Sequence, residues 1–548
     1  MKTKIKRCGV LIVIATIVSW GICLLTLQIL RFNRLGAFAF DLGIFQQAVW
    51  LMSQGKTPFI TVRGMHILGD HFTPILYLLA IPYRFWAHPF WLFLTQTIAL
   101  AAGAFPLYRL TIRKTQHEWV AVFVATGYLL HPALFTMLLF DFHPVLLSVP
   151  FVLWAMDAVD SGRVVHFIVG ACCAALCRQD VAIPLAGISM YGIFVRKRHW
   201  AWGALIFSFA WFLVTMKIMA YLSNTEQSAY LSLYDRWGKT LTGIIWGIIT
   251  HPIEVIKSLT LCHGYAQTPG IYPLLLVMPY ALFPLLAPEV LIWGLPSYAL
   301  IALSERPVMR EIGYQYGALI LPWLTFASAL AWERLLRWGK NLTVSLRRRW
   351  EVILALTWIS CVTLGACHYG LPVIQRFMRD TLPPEEARAI ATFLYKHIPP
   401  NASVSVPTNL VPLLAHREHV YLFPNPFYQV VFGPSVNAVK QQMKPQFLHI
   451  TAQQFYQRIK SAPVDFIVLR KQTNTQPLRL ETYETIAIYL LSCPEYGVIA
   501  RKGNTIILKH KADFARGLYI LGVNSRQIHG DTRKIATTVR AIWRQLQE

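Results

Sequence analysis

The chain has 548 residues, 55% hydrophobic and only 14% charged, where ordinary soluble domains carry roughly 25% charged residues. Apolar runs of about 20 residues exclude an ordinary soluble fold and mark a polytopic membrane protein. The net charge of +25 does not point to nucleic acid, because Lys and Arg cluster beside those runs, as cytoplasmic loops and anionic lipid surfaces require.

The first run, 9–30, is too long for a signal peptide, and the A-x-A-like Ala37-Phe38-Ala39 lies beyond its end. Further spans are predicted at 90–110, 118–138, 143–158, 164–180, 181–196, 199–221, 270–286, 289–303, 316–337 and 351–371. With a cytoplasmic N-terminus, the basic clusters at 2–7, 109–114, 196–199, 334–340 and 347–350 fall inside. About eleven crossings then leave the C-terminus outside. The first outer loop, 31–89, holds two amphipathic stretches, 41–54 and 73–86, read as interfacial helices. A second outer loop, 222–268, has an apolar-faced stretch around HPIEVIKSL.

Composition changes near residue 372. A Pro-rich helix start is followed by strand-like runs at 402–406, 419–423, 465–469 and 505–509, with helical patterns between them. The division expected is a transmembrane domain over 1–371, including the 31–89 loop, and an extracytoplasmic α/β domain over 372–548 with a basic, interfacial tail. The nine cysteines include no CxxC spacing, so no thiolate zinc site is indicated.

Several polar groups collect on the predicted outer side. Asp41 opens FDLGIFQQAVW, where it serves as a helix N-cap, a functional carboxylate, or both. Asp70-His71 opens the next stretch, with Asp70 also suited to capping. Asp141-Phe142-His143 lies in a short turn where carboxylate and imidazole could converge on a divalent ion, or simply close the turn. Arg178 and Asp180 interrupt an apolar stretch; such ions cost about 2.5–3.5 kcal/mol each at a helix centre, so a break lining a polar cavity is expected. Arg63, Arg84 and His88 could neutralise phosphate or anchor to lipid, and 304–317 brings Glu305, Arg306, Arg310, Glu311 and Tyr314 toward one face.

The stretches FDLGIFQQAVW, GDHFTPILYLLAIPYRFW, DFHPVLLSVPFVLWAMD, CRQDVAIPLAG, FPLLAPEVLIWGLPSYAL and IPPNASVSVPTNLVPLLAHREHVYLFP resemble a family of predicted membrane proteins, domain of unknown function 2079. The chain also resembles the GT-C superfamily of integral-membrane glycosyltransferases. That resemblance implies transfer of a sugar from a polyprenyl-phosphate donor to a lipid, glycan or protein acceptor, with inversion. Asp41 occupies the place of the catalytic or metal-binding acid in the first outer loop. Asp141 and His143 match the second loop's acidic pair, with histidine replacing one carboxylate. Arg178 and Asp180 match a later basic–acidic motif. The implied roles are Asp41 as base; Arg63, Asp70, His71, Arg178, Asp180, Arg306, Arg310 and Tyr314 as substrate or phosphate ligands; and Asp41, Asp141 and His143 as ligands of any divalent metal, Mg or Mn. The expected partners are a lipid-linked sugar donor and membrane lipids. A transporter or lipid translocase, with charges near the midplane and inverted repeats, and a non-catalytic envelope scaffold remain alternatives. The sequence sets no oligomeric state.

Overall fold

Proline and glycine decide where the apolar runs bend. The computed structural model describes residues 2–224, 229–263, 271–427, 452–461, 463–471, 475, 478–522 and 532–545. Two compact units divide the chain: Met1–Arg31, Leu68–Leu79 and His88–Asp380 form one, and Phe32–Ile67, Ala80–Ala87 and Thr381–Glu548 the other.

The first unit is helical. Among the described residues, six helices are long and apolar enough to cross a membrane: Cys8–Asn33, Phe90–Thr115, Glu118–Phe140, Pro144–Ser161, Ala201–Leu222 and Val344–Arg379. Shorter apolar helices, Val164–Ala175, Gln179–Val195, Leu241–Thr250 and Pro288–Ala302, accompany them. The 270–286 stretch departs from the expected continuous span. It breaks into Tyr272–Val277, Met278–Tyr280 and Phe283–Leu286. Pro279 and Pro284 interrupt the backbone ladder, and Ala281 and Leu282 turn into the left-handed region between them. Close helix approach relies on missing side chains: a Cβ on Gly187 would lie 2.3 Å from the Trp293 carbonyl oxygen. Trp323, Trp332, Trp358, Tyr128 and Tyr280 fill the centre.

The second unit is built on a five-stranded mixed sheet. A short antiparallel pair, β1 (Phe59–Ile60) and β2 (Met65–His66), precedes it. The sheet comprises β3 (Val404–Val406), β4 (Val420–Leu422), β5 (Phe466–Arg470), β6 (Tyr496–Lys502) and β7 (Thr505–His510), ordered β4-β3-β5-β7-β6. β3 pairs parallel with β4 and β5, whereas β7 runs antiparallel to β5 and β6. Every residue of β5 is buried, as a central strand covered on both faces requires.

The structure departs from the sequence expectation at three places. The first loop does not group as a whole with the membrane helices: 32–67 and 80–87 belong to the second unit, while 68–79 and 88–89 stay with the first. Gln47 explains part of this, because its Nε2 donates to the Glu418 carbonyl at 2.9 Å and to Thr61 Oγ1 at 2.8 Å, while Val420 N–H donates to Thr61 Oγ1 at 3.1 Å. The helix Ile44–Ser53, expected at the interface, buries Ile44 through Val49 and Leu51, leaving no broad face for lipid. The basic tail is not a free interfacial segment either. Helix Thr532–Gln545 inserts Val539 and Trp543 into the sheet's core, and Lys471 Nζ donates to the Trp543 carbonyl at 2.7 Å.

Candidate functional site

Within the helical unit, the break between Val164–Ala175 and Gln179–Val181 organises the polar groups. The segment carrying Asp70 and His71 lies along it, fixed by Ile75 N–H to the Leu176 carbonyl at 3.0 Å and Phe72 N–H to Gln179 Oε1 at 3.1 Å. Gly69 permits the approach of another helix end, since a Cβ there would meet Leu222 C at 3.0 Å.

Tyr230 completes the cluster. Its hydroxyl is 3.2 Å from Asp70 Oδ1 and 2.9 Å from His71 Nε2, and its ring stacks on His71 with centroids 4.8 Å apart. One hydroxyl proton serves both neighbours only if Tyr230 donates to Asp70 and accepts from His71 Nε2–H. The result is a directed chain from imidazole through phenol to a buried carboxylate. Asp70 closes a short helix, Ile67–Asp70, rather than capping the start of one as expected.

Arg178 grips Asp180 with two parallel bonds, Nε to Oδ1 at 2.6 Å and Nη2 to Oδ2 at 2.5 Å. Their side chains are 13% and 23% exposed, so the fork is partly open. Nη1 is not engaged in either bond and gives the guanidinium an edge for an oxyanion. The bond from Phe72 N–H to Gln179 Oε1 sets the Asp70–His71 segment alongside the residue between the two members of this fork. The structure therefore brings Asp70, His71, Arg178 and Asp180 into one neighbourhood.

The 304–317 loop divides. Leu233, in the same turn as Tyr230, accepts Glu305 N–H at 2.8 Å. Arg306 is half-buried at the start of the Pro307–Arg310 turn. Arg310 directs Nε to the His263 carbonyl and Nη1 to the Ser304 carbonyl, both at 3.1 Å. Glu311 is buried, so the five polar side chains do not share one open face as the sequence suggested.

Asp141 and His143 form a second, sealed cluster. Asp141 Oδ1 receives Arg31 Nη1 at 2.6 Å, with both side chains buried. Gln96 fastens the turn, donating to the Asp141 carbonyl at 3.0 Å and accepting from His143 N–H at 2.8 Å. His143 stacks on Phe140 at 5.6 Å, and Tyr314 meets the same ring edge-on at 4.3 Å. A divalent ion at Asp141 would have to compete with Arg31. Among the described residues, no group of three His, Cys, Asp or Glu side chains is arranged to hold a metal. The Asp141 and His143 side chains therefore do not fit the metal.

Asp41 and Arg63 belong to the second unit. Asp41 is not the N-cap: Phe38 holds that position, and Asp41 sits inside the Ala39–Gly43 π-turn that leads into Ile44–Ser53. Its carboxylate is half-buried and benefits from the positive end of the helix. A Cβ on the nearby Gly43 would come within 2.9 Å of Val411 Cγ1, which shows how tightly this turn is seated. Arg63 occupies the turn between β1 and β2, with its N–H donating to Ile60 O at 3.1 Å. Sequence reasoning missed Arg31, Gln96 and Tyr230. The visible signal for Arg31 was a lone cation closing the first apolar run.

A family model described as predicted membrane protein, DUF2079, matches residues 31–475. The chain belongs to this family. No curated protein sequence matches it. Among solved structures, this chain is similar to ArnT from Cupriavidus metallidurans bound to undecaprenyl phosphate, at 12% identity and TM-score 0.49, covering 90% of this chain and 97% of that one. The apo ArnT structure gives 12% identity, TM-score 0.47 and coverage of 90% and 98%. An Archaeoglobus fulgidus oligosaccharyltransferase tethered to an acceptor peptide gives 13% identity, TM-score 0.38 and coverage of 87% and 72%.

Proposed function

We propose that this DUF2079 protein is a GT-C-type glycosyltransferase that moves a sugar from a polyprenyl-phosphate donor to a lipid, glycan or protein acceptor on the outer membrane face. The observation that carries this reading is the gathering of Asp70, His71 and Tyr230 beside the Arg178–Asp180 fork at a helix break, where Phe72 N–H bonds Gln179 Oε1. Polar networks of this kind are costly in a membrane protein and characteristically mark a working site.

In the reaction, an acceptor hydroxyl oxygen attacks the anomeric carbon as the bond from that carbon to the phosphate oxygen breaks. The bonding pair leaves with the polyprenyl phosphate, and the acceptor's proton passes to a carboxylate base, the role that the GT-C resemblance gives Asp41. One displacement inverts the anomeric centre. Arg178, oriented by Asp180, faces the charge developing on the departing phosphate, and the His71–Tyr230–Asp70 chain holds its surroundings in one arrangement. Arg63, Arg306, Arg310 and Tyr314 remain secondary candidates for donor or acceptor contacts.

The test is turnover by purified protein supplied with polyprenyl-phosphate sugars and candidate acceptors. Asp41→Asn should leave a folded protein that releases no polyprenyl phosphate; unchanged release would remove Asp41 from the mechanism.

A further inference from the structure

A separate cluster in the helical unit has no part in this reaction. Helix Pro144–Ser161 ends with Asp157 and Asp160, whose side chains are each 1% exposed. Five cations from two other segments converge on that helix end. Arg109 Nε donates to Asp157 Oδ2 at 2.7 Å. Arg113 bridges both carboxylates, reaching Asp157 Oδ1 at 2.5 Å and Asp160 Oδ2 at 2.7 Å. Lys114 Nζ and Arg196 Nη2 reach Asp160 Oδ1 at 2.8 and 3.2 Å. Arg196 and Arg198 also donate to the Asp160 backbone carbonyl, at 3.0 and 3.5 Å. Gly162, with φ +75°, leaves space for Arg198: a Cβ there would sit 2.8 Å from Arg198 Cζ.

A topology signal needs only Lys and Arg in short loops and demands no geometry of them. Here, two buried carboxylates hold the cations in a fixed array, while Arg109, Arg113 and Arg196 keep 40%, 30% and 31% of their side chains exposed. Five positive groups over two negative ones leave a surplus of three charges. Phe194 and Trp202 are exposed and pack edge-on at 6.2 Å just beside Arg196 and Arg198 in the chain, the amphipathic aromatic pattern found at headgroup depth.

We infer that Arg109, Arg113, Lys114, Arg196 and Arg198 form a preorganised binding site for a phosphate group, presented by an anionic phospholipid headgroup or by a soluble phosphate compound. The buried Asp157 and Asp160 do not repel the ligand decisively, because their charge is already matched by the cations they orient. Their role is to fix the array before the phosphate arrives. Basic pockets between membrane helices are well suited to such headgroups.

The test uses full-length protein and mass-spectrometric retention of phosphatidylglycerol against phosphatidylcholine, with inorganic pyrophosphate as a competitor. Wild type should retain phosphatidylglycerol preferentially, and R196Q/R198Q should lower that retention about thirtyfold, the loss expected for two basic residues at an anionic surface. Preferential binding of pyrophosphate, lost in the same variant, supports the site with a soluble source. If R196Q/R198Q melts earlier than wild type, R196K/R198K keeps the charge and tests the array: weakened phosphate retention in a normally melting protein supports it. Equal retention of both lipids by wild type, together with no pyrophosphate binding, overturns the inference.

Discussion

Arg31 and Arg417 show how the two units solve the same problem differently. Each guanidinium is almost fully buried. In the helical unit, Arg31 donates to the Leu139 carbonyl at 3.2 Å and to the Phe140 carbonyl, and it also meets the Asp141 carboxylate and lies 5.4 Å from the Phe377 ring centroid, so its charge has a countercharge and a π-face. In the α/β unit, Arg417 donates to the carbonyls of Leu414, Ala402 and Pro399 at 2.8, 2.8 and 3.2 Å, and burial lowers its pKa to about 10. The lesson is one of function within structure. Both guanidiniums staple backbone carbonyls with their several donors, and in the helical unit a carboxylate partner adds a fixed countercharge.

The largest expected effect comes from splitting the sealed pair. Arg31→Gln should destabilise the helical unit by about 3–5 kcal/mol, because it strands a buried carboxylate. Arg31→Met with Asp141→Leu should recover much of that loss, measured by thermal or denaturant unfolding in detergent. A double variant as unstable as the single one would contradict the ion-pair account. Arg178→Gln tests the open pair. Its expected signature is kinetic, a fall of about 10²–10³ in turnover with near-normal melting, as for removal of one charge-stabilising donor. A large melting shift without a rate defect would place Arg178 with Arg31 as a structural residue.

Arg417→Met should cost about 1–3 kcal/mol in the α/β unit by leaving loop carbonyls without donors. A negligible change would mean that water replaces the guanidinium fully. The smallest effect belongs to Lys56 and Glu418, an exposed ion pair of the same unit. The ammonium holds the Glu418 carboxyl below its ordinary value. Its contribution is therefore present above the unfolded-state pKa and fades as pH falls through the lower folded value. Lys56→Met should remove that acid-limb dependence and little else; an unaltered acid limb would show that the pair adds nothing.

Apolar spacing made the helical class and the β5 and β7 strands legible, because Phe466–Arg470 and Thr505–His510 carry dense runs of β-branched and large apolar residues. β6 escaped because Tyr496–Lys502 mixes Gly497, Ala500 and two terminal cations. The candidate site was legible in part. Asp70, His71, Arg178 and Asp180 stood out as polar groups in apolar surroundings, but Tyr230 looked like an ordinary aromatic until the loop returned to Asp70. The Arg31–Asp141 pair joins positions 110 residues apart, a separation local patterns do not read. Gln46 and Gln47 held an unused signal: both are fully buried in the Ile44–Ser53 helix, and Gln47 ties that helix to the sheet's edge.

The most direct measurement is photocrosslinking of purified protein with a diazirine analogue of undecaprenyl phosphate, followed by peptide mapping. The account predicts labelling of the segments around Asp70–Phe72 and Arg178–Asp180, competed by unlabelled lipid and lost in Arg178→Gln. Specific labelling confined to other segments, undiminished by that substitution, would contradict it.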